Sequence, residues 1–147
     1  MKVEGTKEFG ASRARVWAVI SDPESMSRLM PGVEGFEVVD DDHWKAKVKI
    51  PLGLGGLKMS IAFEKLDERP LEFSSMRAKG KGVGALMDMT TSFTLTGEGE
   101  HTSMAWQADV SIAGAVGSMG QRVLQPIINQ QVGQVLSALE RQVEATS

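Results

Sequence analysis

The sequence contains no cysteine and no tyrosine, and it has only two histidines in 147 residues. The absence of cysteine excludes disulfides, thiolate catalysis, Cys-ligated zinc and iron–sulfur clusters, and it fits a reducing compartment. The histidines, His43 and His101, both lie beside expected turns, and no H-E-x-x-H motif accompanies them. We therefore expect no metal centre and no catalytic dyad.

Long apolar runs and an excess of positive charge are also missing. No stretch approaches the roughly 20 apolar residues that cross a bilayer, and the first part of the chain has no apolar core of a signal peptide. The net charge of -3 lacks the basic excess that is typical of nucleic-acid-binding domains. These absences favour a cytoplasmic protein that binds no nucleic acid and contacts a membrane only peripherally.

Motifs of nucleophilic and phosphate chemistry are absent as well. No G-x-S-x-G nucleophile elbow occurs. The glycines of the segment KGKGVG, residues 79–84, precede an expected strand rather than a helix, so no helix N-terminus is available to bind phosphate. We interpret this segment as flexible. Asp88 is the one carboxylate of interest, and alternation directs it outward, whereas a one-residue shift of its strand would bring it inside as an acid or base.

The pattern of apolar residues predicts an α+β fold within one domain, residues 1–147. A first strand is followed by two short helices, for which Ser12 and Asp22 are the expected N-caps. Six strands with a period of two come next, and we expect a β-bulge at Ser74 and Ser75, where the alternation changes phase. Short connections make the sheet antiparallel.

Helical spacing returns in the last part of the chain, from Met119 to Val143. The sheet should curl around this terminal helix. Pro126 lies inside the helical pattern and lacks a backbone N–H, so we expect a kink near Leu124 or a helix broken in two.

Methionine is abundant, with nine residues in the chain, and it is a flexible side chain that suits adaptable apolar surfaces. Methionine and phenylalanine share one parity on successive strands, so we expect them to face the terminal helix across an apolar pocket, while the alternating lysines face outward. The predicted ligand-lining residues are Met30, Met59, Ile61, Phe63, Phe73, Met76, Met87, Met89, Phe93, Met104, Trp106, Met119, Val123 and Ile127.

Three segments carry a family resemblance: MKVEGTKEFGASRARVWAVISDPESMSRLMPGVE, KGKGVG and DVSIAGAVGSMGQRVLQPIINQQV. Through them the chain resembles the CoxG family of carbon monoxide dehydrogenase subunits, within the START/Bet v 1-like (SRPBCC) superfamily. The resemblance implies a helix-grip fold, in which a seven-stranded antiparallel sheet wraps around a long C-terminal helix, with two short helices after strand 1 and a hydrophobic cavity. Val33 stands where family members often have cysteine, so no thiol role is implied.

The resemblance also implies a role beside a molybdenum hydroxylase of the carbon monoxide dehydrogenase type. Family members are proposed to recruit that enzyme to the cytoplasmic membrane and to bind a respiratory quinone. We therefore expect a non-catalytic carrier of a quinone or another isoprenoid or acyl lipid, without a covalent cofactor, in the cytoplasm or at the inner face of the cell membrane. Two alternatives stay open: a polyketide cyclase or aromatase-like enzyme on the same fold, and a pure protein adaptor with a filled core.

The start of the terminal helix is the expected gate of the pocket. Gly114, Gly117 and Gly120 precede the helix, and Pro126 interrupts it. Residues 114–125 should therefore open more readily than residues 132–143, whose apolar stripe is unbroken.

Overall fold

The computed structural model describes residues 1–52 and 56–145. Its elements follow the predicted order of a strand, two short helices, six strands and a long helix. In chain order they are β1 (Lys2–Phe9), α1 (Arg13–Ile20), α2 (Pro23–Arg28), β2 (Val33–Val38), β3 (His43–Ile50), β4 (Leu57–Arg69), β5 (Phe73–Gly82), β6 (Ala85–Thr96), β7 (Thr102–Ala113), a 3-10 turn (Gly117–Met119) and α3 (Gln121–Ala145).

The seven strands form a sheet in the order β1-β7-β6-β5-β4-β3-β2, and every neighbouring pair is antiparallel. Short hairpins connect the strands from β2 to β7, while α1 and α2 cross from β1 to β2 at the other edge. This arrangement confirms the predicted antiparallel α+β architecture. The inner face of the sheet curls around α3, as the helical pattern of the last residues indicated.

The two short helices begin where the sequence predicted. The Ser12 hydroxyl accepts a hydrogen bond from the backbone N–H of Arg15, at 3.4 Å, and the Asp22 carboxylate accepts one from Ser25, at 3.2 Å. Each side chain satisfies an N–H that has no partner within its helix. Pro23 follows Asp22 at the first helical position, where its missing N–H has no cost.

The bulge lies on β4 rather than at Ser74 and Ser75. Between Lys65 and Glu68 the β4 strand has an extra residue relative to β5, while the register between β5 and β6 stays regular. The Ser75 hydroxyl accepts a hydrogen bond from the Asp67 N–H at the bulge, at 3.1 Å. The predicted irregularity was therefore placed on the wrong member of the strand pair.

Residues 79–82 belong to β5, so the interpretation of KGKGVG as a flexible segment was wrong for most of its length. Gly80 and Gly82 occupy inward positions of a regular strand, and Lys79 and Lys81 occupy outward positions. Only residues 83–84 form a turn, in which Gly84 has a φ of 73°.

The terminal helix is continuous over 25 residues with Pro126 inside it, which excludes the expected break into two helices. Its second half is firmly attached to the rest of the molecule. Leu139 and Val143 are buried, Gln142 donates a hydrogen bond to the backbone oxygen of Ser25 at 3.0 Å, and Glu140 pairs with Lys7 at 2.5 Å. In the first half, Leu124 is the buried residue.

Candidate functional site

A cavity of about 230 Å³ lies between the inner face of the sheet and α3. It is larger than the small voids of a well-packed core and somewhat smaller than the 300–1,000 Å³ of typical ligand pockets. Its wall is almost entirely apolar, and methionine contributes to it from α2, β4, β5 and β6. At the start of β3, the aromatic rings of Trp44 and Phe63 stack with centroids 5.3 Å apart.

Most residues of the predicted pocket line this cavity. They come from four strands, from the segment after α2 and from α3, as the shared parity indicated: Met30, Met59, Ile61, Phe63, Met76, Met87, Met89, Phe93, Trp106 and Ile127. The sheet therefore brings together one inward row from each of these four strands, although binding of a ligand by these residues stays a prediction.

Four of the predicted ligand-lining residues do not line the cavity. Phe73 lies on the outer face, opposite Thr94, because the bulge is on β4 and the alternation of β5 is unbroken. The Arg69 guanidinium lies 4.9 Å from the centroid of the Phe73 ring. Met104 is fully buried on the inner face but packs within the hydrophobic core, away from the cavity wall. Met119 and Val123 are 48% and 45% exposed, since the helical phase directs Leu124 inward instead.

Several lining residues escaped the sequence analysis, among them Trp44 and Val48 of β3 and Thr91 of β6. Trp44 and Val48 belong to an alternating row that the sequence shows, so parity could have found them. The same parity places Thr91 between Met89 and Phe93 on the inward row of β6. Gln131 gave no such signal, because a polar residue on the helix stripe does not follow the apolar spacing.

A glycine on β5 lets two methionines of the cavity wall pack directly over the sheet. A Cβ atom on Gly80 would lie 2.8 Å from the Met59 methyl carbon and 3.3 Å from the Met87 Cβ. Met59 and Met87 thus lie across a position that has no side chain. The alternation of lysine and glycine in residues 79–82 places charge on the outer face and leaves the inner face to the methionines of the neighbouring strands.

No Asp, Glu, His, Lys or Arg lines the cavity among the described residues. Asp88, the candidate acid or base, points outward and accepts two hydrogen bonds from Arg77, at 2.7 and 3.1 Å. These hydrogen bonds lower the pKa of the Asp88 carboxyl. The shifted register that would have brought Asp88 inside is therefore wrong, and the cavity offers no acid–base pair from residues 1–52 and 56–145.

Both histidines lie against exposed carboxylates at the same end of the sheet. His43 Nδ1 lies 2.8 Å from Asp40, whose hydrogen bond raises the pKa of the imidazole, and His101 Nε2 lies 3.0 Å from Glu8. In the part of the chain that the structure describes, no group of three or more metal-ligating side chains converges.

The outer face of the sheet carries a second, open groove of about 940 Å³. Its floor contains Ser60 and Ala62 of β4, and lysines 45, 47, 79 and 81 stand on the strands to either side. None of these lysines forms a salt bridge with a described residue.

One end of the molecule exposes large apolar side chains. Val83 is 92% exposed in the β5–β6 turn, and Leu86 is 53% exposed beside it. Met119 lies in the 3-10 turn before α3, and Val123 lies in the first turn of α3. The Gly84 oxygen accepts a hydrogen bond from the Val116 N–H, at 2.9 Å, which holds the turn against the segment before α3. We call these four exposed side chains the apolar end. No described helix has the length and hydropathy that a membrane span requires.

Residues 5–144 match the family of carbon monoxide dehydrogenase subunits described as CoxG. The match covers nearly the whole chain, including the three segments that carried the resemblance except for residues 1–4. The chain belongs to the CoxG family. A search of curated proteins found no match.

Solved structures with this fold come from several bacteria. A conserved protein from Geobacillus kaustophilus superposes with a TM-score of 0.90 at 20% identity, covering 99% of this chain and 97% of that one. A START superfamily protein from Mycobacterium smegmatis gives 0.76 at 16% identity, with 99% of each chain covered. The Zhui aromatase/cyclase from Streptomyces sp. R1128 gives 0.72 at 16% identity, covering 98% of this chain and 93% of that one. These similarities confirm the START-like fold of this CoxG family member.

Proposed function

We propose that the protein is a non-catalytic carrier of an apolar ligand, a respiratory quinone or another isoprenoid or acyl lipid. The observation that carries this proposal is a preformed cavity to whose wall no described residue contributes a titratable side chain. Such a wall binds through apolar area removed from water, at about 25 cal/mol per Å² before the costs of binding are subtracted.

The size of the cavity favours a ring-sized group inside and a tail that leaves it. An apolar cavity of roughly 150 Å³ holds a benzene molecule, so about 230 Å³ suits one substituted ring. A long tail needs further room, which the flexible side chains of Met59, Met87 and Met89 can supply by changing rotamer. The adaptor alternative requires a filled core, and it agrees less well with an open cavity of about 230 Å³.

The family name supplies the partner in this proposal, a carbon monoxide dehydrogenase-type molybdenum hydroxylase. The carrier would assist that enzyme by exchanging its ligand at the cytoplasmic membrane. The apolar end supports peripheral membrane contact, because its exposed side chains lie next to Lys81, which pairs with Leu86 across β5 and β6. Lys49 and Lys58 stand opposite each other on the same side of the sheet.

The alternative is an enzyme of the polyketide cyclase or aromatase type, since the Zhui aromatase/cyclase shares the fold. A cyclase of this kind would need an acid or base at the pocket. We favour the carrier because the nearest candidate, Asp88, is held outside by Arg77.

Organic extraction of the purified protein, followed by mass spectrometry, tests the proposal. We expect a co-purifying isoprenoid or acyl compound in stoichiometric amount, and rebinding of that compound after delipidation. Protein that carries no such compound, and that binds neither quinones nor lipids when they are added, would contradict a carrier role.

A further inference from the structure

Two buried polar atoms in the cavity wall have no hydrogen-bond partner within the described protein: the Thr91 hydroxyl oxygen and the Trp106 indole nitrogen. Both residues line the cavity, Thr91 from β6 and Trp106 from β7. A buried polar group without a partner is unfavourable, and such groups are few in folded proteins. Because both atoms belong to residues of the same cavity wall, a bound ligand could supply the hydrogen bonds that the described protein does not.

Apolar residues surround the Thr91 hydroxyl on the sheet. Its cross-strand neighbours are Met76 on β5 and Ala108 on β7, and Met89 and Phe93 flank it along β6 on the same face. None of these side chains can accept or donate a conventional hydrogen bond. Two of them are methionines, which can move aside for a bound molecule.

The Trp106 indole is held in place by a glycine on the neighbouring strand. Gly5 pairs with Trp106, and a Cβ atom there would lie 2.9 Å from Cζ2 and 3.3 Å from Nε1 of the indole. The ring therefore lies against bare backbone of β1. On its other side Trp106 pairs with Phe93, which is also the next inward residue after Thr91.

The two groups share one chemical property. An indole N–H is a donor only, and a hydroxyl can donate as well as accept. Thr91 and Trp106 occupy diagonal positions on adjacent strands, at a separation that a single ring-sized molecule can bridge. Together they suit a ligand that offers oxygen acceptors.

We propose that Thr91 and Trp106 form a polar anchor for a carbonyl oxygen on the ring of the carried ligand. The inference rests on the proposed carrier function and narrows its ligand class to oxygen-bearing rings, such as quinones, rather than plain hydrocarbon or acyl chains. The ring displaces methionine side chains and accepts hydrogen bonds from one or both groups, while its tail leaves the cavity.

Binding of two matched probes tests the anchor, with calorimetry as the readout because it does not depend on tryptophan fluorescence. The probes are hexyl-1,4-benzoquinone and hexylbenzene, which share a ring and a tail and differ in the two carbonyl oxygens. We expect the quinone to bind more tightly than hexylbenzene. Thr91→Val and Trp106→Phe should each raise the Kd for the quinone about 5-fold, the effect of one lost hydrogen bond, and leave the Kd for hexylbenzene unchanged.

Thr94→Val is the matched control, since Thr94 lies on β6 with its side chain on the exposed outer face. It should change neither Kd. Thr91→Val should also keep or raise the Tm of the ligand-free protein, because it removes an unpaired buried hydroxyl without removing volume. Thr91→Val therefore keeps the test decisive even if Trp106→Phe loosens the contact of the indole with Gly5.

The outcomes separate the anchor from the carrier role. Equal affinity of the wild type for both probes, or an unchanged quinone Kd in Thr91→Val and Trp106→Phe, overturns the anchor and leaves the carrier role standing. Failure of the wild type to bind either probe, or any added lipid, overturns the carrier role and the anchor with it.

Discussion

At the scale of single residues, the cavity depends on where side chains are missing as much as on where they are present. Gly80 is buried on the inward face, and the flexible ends of Met59 and Met87 occupy the space beside it. Lys79 and Lys81 carry the charge of the same strand on its outer face. A side chain at Gly80 would therefore displace these two cavity-lining methionines, with little effect on the outer surface.

Gly80→Leu should fill part of the cavity and weaken binding of any apolar ligand at least about 10-fold, or 1.4 kcal/mol. The free energy of unfolding should fall by about 3 kcal/mol at most, because the flexible ends of the methionine side chains can move aside. Gly35→Leu is the control, because a Cβ atom on Gly35 meets nothing within 4 Å. Unchanged ligand affinity in folded Gly80→Leu would contradict the placement of the ligand in this cavity.

The His43–Asp40 pair makes a prediction about pH. The hydrogen bond between them raises the pKa of His43 and lowers the pKa of Asp40. The His43 contribution to stability is thus full below the unfolded histidine pKa of about 6.5 and is lost as the pH rises through the folded value. The Asp40 contribution is full above its unfolded value and is lost as the pH falls through the depressed one.

NMR titration of the imidazole should give His43 a pKa above about 6.5 in the wild type, and Asp40→Asn should lower it. Asp41→Asn serves as the control, since Asp41 makes no hydrogen bond to His43 among the contacts of the described structure. A His43 pKa that is the same in the wild type and in Asp40→Asn would show that the pair does not form in solution.

At the scale of elements, α3 has two halves with different attachments. Val143 is 1% exposed near its C-terminal end, whereas Val123 is 45% exposed in its first turn. We expect Val143→Ala to lower the free energy of unfolding by about 2 kcal/mol, the cost of removing buried methyl groups and leaving a small cavity. Val123→Ala should change it by less than about 0.5 kcal/mol, and equal losses in chemical denaturation would contradict this difference.

The weaker attachment of the first half supports the gate that the sequence predicted. Residues 114–125 include two glycines with positive φ, Gly114 and Gly120, and Pro126 removes a helical hydrogen bond just beyond them. Hydrogen exchange should therefore be faster at residues 114–125 than at 132–143, and a bound apolar ligand should slow it. Uniform protection along α3, unchanged by a ligand that demonstrably binds, would exclude the gate.

Pro126→Ala restores the missing N–H and should stabilise the first turns of α3. We expect it to slow both hydrogen exchange at residues 114–125 and the release of ligand, with little change in equilibrium affinity. An unaltered release rate would give the proline a structural role only.

Parity and helical spacing were sufficient to predict the order of the seven strands and three α-helices, but not the 3-10 turn, the full length of β5 or every side-chain position. Phe73 was misplaced because the irregularity belongs to β4, and local alternation on β5 cannot show which partner carries an extra residue. Met104 faces inward as predicted, yet parity gives the face of a strand and not the level at which the cavity begins. Met119 lies in the 3-10 turn before α3 and Val123 in the first turn of α3, and both are exposed, because Leu124 rather than Val123 faces inward.

At the scale of the whole molecule, a carrier needs a surface at which its ligand is exchanged. The apolar end lies close to the cavity along the chain: Leu86 and Val123 are exposed, while their chain neighbours Met87 and Leu124 line the cavity. The first turns of α3 lie at the same end. A ligand leaving through the gate would therefore enter whatever medium the apolar end contacts.

We predict that the apolar end contacts anionic bilayers. The protein should co-sediment with vesicles of phosphatidylcholine and phosphatidylglycerol more than with phosphatidylcholine alone, because Lys49, Lys58 and Lys81 are attracted to the negative surface, and high salt should reduce this difference. Val83→Asp should weaken sedimentation, since a charge replaces the most exposed apolar side chain of this end. Val39→Asp makes the same change of charge at a residue that is 52% exposed in the β2–β3 hairpin, at the opposite end of the sheet. If Val39→Asp weakens binding as much as Val83→Asp does, net charge rather than the apolar end governs the contact, and the proposed exchange surface is wrong.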